Sequence, residues 1–470
     1  MASIKLARSR IKTKYIATVF CVVLRVVLRG SAITTFPSQN NAERYAESLG
    51  VARDPELAEG LRKRAKPNYS FNMFESFFVP KLEFVGVDLS DRSVKMARVN
   101  TRGKETQLFG LFEAEIPLGM LVEGRVKNRD ALVGYIQEAF RQPEAKALLA
   151  PYVVVTLPEE QCFIRVLQLP VMPGKEMEQA VLYELEGLVP LEVKDARVDW
   201  RVIGRQPQAK KETPHADVLV AATPHDVIYE YTDLFSRLGF IVAGLEPESV
   251  ALTRAILKED LSYPPLLAVD LGGVRTGIII ASGTTLRTTA SIAISARAFT
   301  ERISRELKIS FREAEARKRE FGILPTKEGQ QNLEAVIPLL ADFSEQLKAY
   351  LEFYRTHAFH EHELYTLTVR SGASPGTFDF RPVSQSEVTV GRTSGGKANI
   401  TKVVLTGGGA MLKGFAEYLS NSLSLPIEIG DSYVNITKVP DALRESAEGI
   451  RFSAAIGLAL HHLMTSLKIV

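Results

Sequence analysis

Two stretches of this 470-residue chain repeat one pattern, and the repeat restricts the fold more than any other feature. In each stretch a short apolar strand ends in an aspartate, a tight turn follows, and a second strand returns. The two aspartates are Asp88 and Asp270. A third strand and an amphipathic helix come next in both stretches. The repeat predicts an α/β protein of two similar domains that face each other across a cleft.

The spacing of apolar residues predicts the individual elements and the domain bounds. The first repeat has strands at 85–89, 94–99 and 108–114 and a helix at 128–140. The second has strands at 266–271, 276–281 and 285–294 and a helix at 298–307. Between them, an order of strand, helix, strand, strand, helix indicates a small α+β subdomain inserted in the first domain. The predicted bounds are 1–72 for an extension, 73–160 with 239–262 for the first domain, 161–238 for the insert and 263–470 for the second domain.

The turns after the two aspartates carry the chemistry. A strand that ends in Asp before a tight turn directs a carboxylate and backbone N–H groups at one place. Two such turns across a cleft could hold a polyphosphate, while the carboxylates position a divalent metal ion through water. A third motif, Thr406-Gly-Gly-Gly-Ala410, has glycines that let a base and ribose approach the backbone. Each motif alone is also typical of an ordinary hairpin or loop, but together they indicate a nucleotide site.

Composition argues against several other classes of protein. The net charge is +3, and basic residues are scattered among acidic ones, so no footprint for nucleic acid stands out. The two cysteines, Cys21 and Cys162, exclude a disulfide framework and a Cys-based zinc cluster. His357, His360 and His362 lack matching partners at ligand spacing, which favours loop histidines over a metal site. We expect a globular protein of a reducing compartment.

The first 72 residues are a separate problem. Basic residues from Lys5 onward precede an apolar run at 15–28, an order that resembles the charged and hydrophobic regions of a signal anchor. The run is shorter than the about 20 residues that cross a bilayer, and Arg25 interrupts it. Three interpretations stay open: an interfacial amphipathic helix that attaches the protein peripherally to a membrane, a weak anchor, and sequence upstream of a true start at Met73. Residues 37–70 are predicted to be a linker.

These motifs resemble those of the actin, chaperone and sugar-kinase ATPase superfamily. Its first phosphate loop resembles residues 88–95, DLSDRSVK, and its second resembles residues 270–276, DLGGVRT. Its adenosine loop resembles residues 405–414, LTGGGAMLKG. Within the superfamily, the chain is similar to the type IV pilus assembly protein PilM family. The further matching pieces are 169–202, 307–322, 405–431 and the closing SAAIGLALHHL. The resemblance implies a duplicated actin-like, ribonuclease-H-like fold with a nucleotide clamped between two domains.

The resemblance also implies ligands for the cleft. ATP and Mg²⁺ would bind there, with Asp88 and Asp270 as the catalytic residues that hold the metal ion through water. The expected nucleotide-binding residues are Ser90, Ser93, Lys95, Gly272, Gly273, Arg275, Thr276, Gly407, Gly408, Gly409 and Ala410.

Partners follow from the same resemblance. It implies a cytoplasmic protein at the inner face of the bacterial inner membrane, which docks the N-terminal cytoplasmic tail of a PilN-like membrane protein between the first domain and the insert. Pilus motor or platform proteins are further expected partners. In the helix predicted at 175–188, an apolar stripe through Val181 and Leu185 would face the sheet of the insert. The exposed neighbours Tyr183 and Glu186 are therefore the candidate peptide contacts.

The loops depart from the family pattern where phosphate would lie. The replacements are Ser90, Val274, Arg275, Gly277, Ser295 and Ala296. Each replaced glycine adds a Cβ atom beside the phosphate path, and a β-branched Val274 would be strained at positive φ. Arg275 has two open roles: it could replace lost N–H donors to phosphate, or fill the cleft and pair with Asp88 or Asp270. We expect ATP binding with slow or absent hydrolysis.

Other readings fit less well. A sugar kinase would need a polar sugar pocket. An FtsA-like cell-division protein would need a C-terminal amphipathic helix after a linker, and a GspL-like secretion protein would need a membrane span after this part. The chain is expected to have none of these, since it ends at Val470 directly after its last predicted helix. A nucleotide-free scaffold of a pilus or secretion complex stays open. Residues 357–400, with predicted strands at 365–369 and 388–390, have no assigned role.

Overall fold

The computed structural model describes the chain in ten ranges. They are 84–102, 105–189, 192–205, 215–258, 265–282, 285–357, 365–368, 379–382, 400–446 and 448–461. The predictions for residues 1–72, for a strand at 388–390 and for His360 and His362 fall outside them. Within these ranges, no helix has both the length and the apolar run that crossing a bilayer requires.

The described chain contains both strands and helices. The strands are β1 (Phe84–Leu89), β2 (Ser93–Arg102), β3 (Glu105–Glu115), β4 (Leu121–Val122), β5 (Arg125–Val126), β6 (Tyr152–Leu157), β7 (Phe163–Pro170), β8 (Ala196–Arg205), β9 (His215–Pro224), β10 (Ile241–Pro247), β11 (Leu266–Leu271), β12 (Thr276–Ser282), β13 (Thr285–Ile292), β14 (Tyr365–Thr368), β15 (Asp379–Pro382), β16 (Val403–Thr406) and β17 (Ile427–Ile429). The helices are α1 (Arg129–Ala139), α2 (Pro143–Leu148), α3 (Gly174–Glu186), α4 (His225–Arg237), α5 (Glu248–Ile256), α6 (Ala296–Leu307), α7 (Phe311–Phe321), α8 (Lys327–His357), α9 (Phe415–Leu423), α10 (Asp441–Glu445) and α11 (Ser453–Ala459). His357, expected in a loop, is instead the last residue of α8.

The two five-stranded sheets share one topology, which confirms the predicted duplication. The first is ordered β10-β6-β1-β2-β3 and the second β17-β16-β11-β12-β13. In both, the first strand of the repeat pairs antiparallel with the second and parallel with a later strand. The central strands are continuous apolar runs because other elements cover both of their faces. Asp88 and Asp270 therefore occupy equivalent positions, one residue before the end of β1 and of β11.

Two equivalent helices join the domains built on these sheets. In the first half α5 follows β10 directly, and in the second half α11 follows β17 after the short helix α10 and a 3-10 turn. A Cβ atom on Gly457 of α11 would lie 1.8 Å from the Ala251 oxygen of α5. One on Gly86 of β1 would lie 2.1 Å from the Ala455 oxygen of α11. Glycine alone permits backbones this close, so the helices cross in direct contact within an apolar cluster drawn from both sheets.

A buried ion pair supports this crossing. Arg254 on α5 donates to both carboxylate oxygens of Glu246, at 2.6 and 3.0 Å, and to the Gly457 oxygen at 2.9 Å. His461 also contacts Glu246 through its Nδ1 atom. Burial would raise the pKa of Glu246, but Arg254 and His461 outweigh it and hold the pKa at about 2.

The insert is a three-stranded antiparallel sheet, β7-β9-β8, covered by α3. Val181 and Leu185 of α3 are buried in its core, on the stripe that the sequence predicted. The expected bounds also placed α4 in the insert, but its buried Tyr231 and Phe235 lie in the core of the first domain. Apolar spacing shows that a helix has a buried face without showing which sheet covers it, and α4 packs beside β10 rather than on the insert.

Candidate functional site

A cleft of about 660 Å³ lies where the ends of β1 and β11 face each other. Its walls come from both domains: the turns after these strands, the segment after β6, the start of α5, the glycine run after β16, and one face of α7. All but two of the predicted nucleotide-binding residues line it. The exceptions are Thr276, whose buried hydroxyl donates to the Ile294 oxygen at 2.6 Å, and Ala410, which lies in the core of the second domain.

The first turn holds a buried carboxylate in a fixed orientation. Asp88 is 5% exposed, and the hydroxyl of Thr156 on β6 donates to its Oδ1 at 3.2 Å. That hydroxyl accepts from the Leu89 N–H at 3.0 Å. Lys95, directly opposite Asp88 in the β1–β2 register, brings its Nζ to 3.8 Å from Oδ2. Strand pairing thus sets a cation beside the aspartate.

A serine closes this first turn in place of glycine. The Ser90 N–H donates to the Ser93 oxygen at 2.9 Å, and the Ser93 N–H donates to the Ser90 hydroxyl at 3.2 Å. The side chain that stands here in place of glycine therefore carries a hydroxyl that stabilises the turn. Both serines line the cleft.

The second turn is tight and unstrained. The Gly272 N–H donates to the oxygens of Asp270 and Arg275, both at 3.0 Å, and a Cβ atom there would lie 2.8 Å from the Arg275 oxygen. Val274, where strain was expected, is not among the described non-glycine residues with positive φ. A Cβ atom on Gly273 would meet nothing within 4 Å, so this turn opens onto free space. Backbone beside free space is what an entering phosphate needs.

The glycine run packs against the second turn. Gly407 has a φ of 78°, and a Cβ atom there would lie 2.4 Å from Asp270 Oδ1. A Cβ atom on Gly409 would lie 2.3 Å from the Leu271 Cγ. The packing of the glycine run on the second turn therefore requires glycine at both positions. Gly408 would meet only the Arg451 side chain, at 3.7 Å.

Four carboxylates gather at the end of the cleft where the two turns meet. Burial, with Asp88 and Glu159 nearby, raises the pKa of Asp270 to about 6 against the pull of Lys95. Burial also raises the pKa of Glu248, at the start of α5, well above its ordinary value, and the neighbouring carboxylates raise it further. This excess of negative charge would be relieved by a divalent cation or by protonation.

Glu159 keeps one buried carboxylate oxygen without a hydrogen bond among the described residues. Its Oε2 accepts from the Ser249 N–H at 3.2 Å, while its Oε1 and the Ser249 hydroxyl have no hydrogen-bond partner among the described residues. Burial raises its pKa. In the described ranges, no three His, Cys, Asp or Glu side chains converge for direct metal ligation. Carboxylate oxygens are the donors that a divalent cation prefers, either directly or through water.

Arg275 reaches across the cleft to an unexpected partner. Its guanidinium forms an ion pair with Glu160, which follows β6 in the first domain, and not with Asp88 or Asp270. Burial lowers the pKa of Arg275, although Asp91 and other carboxylates oppose this. The sequence could not have named this partner, because Glu160 and Arg275 lie far apart along the chain.

One face of α7 was missed by sequence reasoning. Glu315, Lys318 and Arg319 line the cleft, and the Lys318 Nζ lies 2.8 Å from the Glu315 Oε2. Burial would raise the pKa of Glu315, but hydrogen bonds from Lys318 and Thr300 outweigh it and hold the pKa at about 2. The signal was the spacing i, i+3, i+4, which puts all three side chains on one helical face. These polar groups could meet the hydroxyls of a ligand.

The candidate peptide contacts lie elsewhere, on the outer face of α3. Tyr183 is 76% exposed and Glu186 is also exposed. Neither residue lines the cleft.

Known proteins resemble this chain in sequence and in fold. A family model described as type IV pilus assembly protein PilM matches residues 86–373 and 385–463. A solved PilM-PilN type IV pilus biogenesis complex is similar with a TM-score of 0.62 and 24% identity, over 81% of this chain and 99% of that chain. No curated protein matches.

More distant solved structures are similar over comparable lengths. Ethanolamine utilization protein EutJ from Carboxydothermus hydrogenoformans has a TM-score of 0.45 and 16% identity, over 81% of this chain and 90% of that chain. MreB 5 of Spiroplasma citri bound to AMPPNP has a TM-score of 0.44 and 12% identity, over 83% of this chain and 98% of that chain.

Proposed function

Because this chain belongs to the type IV pilus assembly protein PilM family, we propose that it binds ATP with Mg²⁺ in the cleft and serves pilus assembly as a nucleotide-responsive scaffold. One observation carries the proposal: the two aspartate turns and the glycine run meet in a single cleft. Their separation along the chain makes this convergence unlikely for three unrelated turns.

The side chains divide the cleft between phosphate and sugar. Asp88, oriented by Thr156, and Asp270 would hold the metal ion through water, and the metal would neutralise phosphate charge. Lys95 and the open backbone at Gly273 would face phosphate oxygens. At the other end, Lys413 next to the glycine run donates to the Glu320 oxygen of α7 at 2.7 Å. This contact keeps the polar face of α7 beside the place expected for ribose.

Slow or absent hydrolysis follows from the same geometry. Hydrolysis needs preorganised donors around the transferred phosphoryl group, and each lost donor costs about 100-fold to 1000-fold in rate. In the second turn, Val274, Arg275 and Gly277 line the cleft where the family pattern has other residues, so the donors expected there are replaced. Assembly needs no fast turnover, because a ligand that prefers one arrangement of the domains shifts their equilibrium by its differential affinity.

A PilN-like tail is the proposed partner, bound between the first domain and the insert on the cytoplasmic face of the inner membrane. The solved complex of family members pairs PilM with PilN. Tyr183 and Glu186 are exposed on α3, whose other face is committed to the core of the insert. We expect Glu186→Lys to weaken binding of such a peptide without lowering the melting temperature. Unchanged peptide affinity would move the groove elsewhere.

Calorimetric titration of the full chain with ATP, with Mg²⁺ and with chelator, tests the nucleotide site. We expect binding that Mg²⁺ strengthens, and we expect Asp270→Asn to remove this dependence because the variant loses a carboxylate that faces the metal. Asp342→Asn, on the exposed face of α8, is the matched control and should keep it. If the wild type binds no ATP under either condition, the nucleotide-free scaffold replaces this proposal.

A further inference from the structure

We infer that Arg275 and Glu160 form a latch across the cleft, which the phosphate group of an entering nucleotide opens by taking Arg275 for itself. The inference rests on the proposed nucleotide site and adds its regulation. It assigns Arg275 two roles: a partner for Glu160, rather than for Asp88 or Asp270, when no nucleotide is bound, and a phosphate ligand when one is.

The latch joins the two domains through side chains alone. Arg275 lies in the second turn, between β11 and β12, and Glu160 lies directly after β6 of the first domain. Both residues line the cleft, and each side chain is 25% exposed. A pair that is this accessible can be reached by a ligand, and it contributes little to stability, so breaking it does not unfold the site.

A phosphate group can displace the carboxylate. Arg275 lies two residues after Gly273, where the turn faces free space, and its long side chain can turn toward a phosphate by changing rotamer. A guanidinium binds phosphate oxygens bidentately and through charge-assisted hydrogen bonds, and phosphate carries more negative charge than Glu160. Burial lowers the pKa of Arg275, while Asp91, Glu159 and Glu123 oppose this. A guanidinium titrates far above neutral pH, so it stays charged during the exchange.

Release of Glu160 would be transmitted toward the insert. The neighbouring Gln161 donates to the Glu123 oxygen at 3.1 Å, and the Glu123 N–H donates to Asp91 of the first turn at 2.8 Å. The segment that carries Glu160 and Gln161 continues directly into β7, the first strand of the insert. An opened latch therefore changes the anchoring of the segment that leads to the proposed peptide site.

Affinities of the full chain for MgATP and for adenosine, compared across variants, test the latch. We expect Glu160→Gln to tighten MgATP binding about two- to fivefold, which is the range for losing a competing, partly exposed ion pair. Arg275→Ala should weaken it about 10- to 100-fold, as the loss of a charge-assisted contact does. Adenosine has no phosphate, so its affinity should not change in either variant.

The double variant separates the latch from simple repulsion between Glu160 and phosphate. If the latch is correct, Glu160→Gln tightens MgATP binding only while Arg275 is present, and the gain disappears in the Arg275→Ala background. Glu113→Gln is the matched control, because it breaks the Arg451–Glu113 ion pair, which also crosses the cleft, without touching the second turn. It should leave the ratio of MgATP to adenosine affinity unchanged.

Each outcome decides one of the two proposals. A gain from Glu160→Gln that persists without Arg275, or an Arg275→Ala variant that binds MgATP as well as the wild type, overturns the latch and leaves the nucleotide site standing. Absence of MgATP binding in the wild type and in every variant overturns both.

Discussion

Replacing Gly407 by alanine tests whether the glycine run is a packing requirement of the second turn. The residue has a φ of 78°, and an added Cβ atom would lie 2.4 Å from Asp270 Oδ1 and 2.9 Å from the Leu271 oxygen. With ψ at 170°, this backbone region is essentially restricted to glycine, and it costs another residue about 1–3 kcal/mol. Relieving an overlap in a packed site adds about 1–3 kcal/mol. We expect the free energy of unfolding to fall by about 2–6 kcal/mol.

Urea unfolding followed by far-ultraviolet circular dichroism measures this change in the full chain. Gly408→Ala is the matched control, because its Cβ atom would make one ordinary contact, at 3.7 Å, with the flexible side chain of Arg451. The control should change the free energy of unfolding by less than about 1 kcal/mol. Gly407→Ala should also weaken MgATP binding, since its Cβ atom displaces the Asp270 carboxylate.

Equal unfolding midpoints for the two alanine variants would refute this reasoning. They would mean that the loop after β16 shifts freely, and that close packing on Asp270 is not what the glycine at 407 provides.

Three further predictions concern charge and capping. The folded-state pKa of Asp270 is about 6, above its ordinary value, so its stabilising contribution is full at low pH and is lost as pH rises through about 6. The difference in free energy of unfolding between the wild type and Asp270→Asn should therefore change in that window. A difference that does not depend on pH would contradict this prediction. Ser310→Ala removes the hydroxyl that accepts from the Glu313 N–H at 3.2 Å, so the free energy of unfolding in urea should fall by about 1 kcal/mol. Ser310→Asp should retain the cap. Equal losses in the two variants would mean that the cap does not stabilise the helix. Arg254→Met leaves Glu246 buried without its main partner and should lower the free energy of unfolding by about 3–5 kcal/mol. The double variant Arg254→Met/Glu246→Gln should recover part of this loss. A melting temperature like that of the wild type would show that the crossing of α5 and α11 does not depend on the ion pair.

The core of the duplicated fold could be predicted from local patterns. β1 and β11 are continuous apolar runs that end at an aspartate and a turn, and the strand predictions at 85–89 and 266–271 differ from the structure by one residue at most. The N-cap at Ser310 is equally local, since the side chain and the N–H that it accepts from lie three residues apart. Such features depend on residues near in sequence.

The sequence predicted where the cleft lies, but it did not predict all of the side chains that line it. Thr276 and Ala410 were expected to face a nucleotide. The Thr276 hydroxyl instead joins β12 to the segment after β13 through a hydrogen bond, and the Ala410 side chain is buried. Glu159 and Glu248 were not anticipated, because no spacing links them to the aspartate turns. Their raised pKa values arise from burial, which a sequence does not display.

Sequence by itself determined the repeat, its aspartates and its glycine run, because strand alternation and turn chemistry act over a few residues. Tertiary structure decided which sheet α4 covers, which carboxylate faces Arg275, and how close α5 comes to α11. These outcomes depend on residues a hundred or more positions apart, brought together by the pairing of β1 with β6 and of β11 with β16. Local pattern can name the charged residues, but only the packed chain sets their distances, and charge interactions depend on distance and burial.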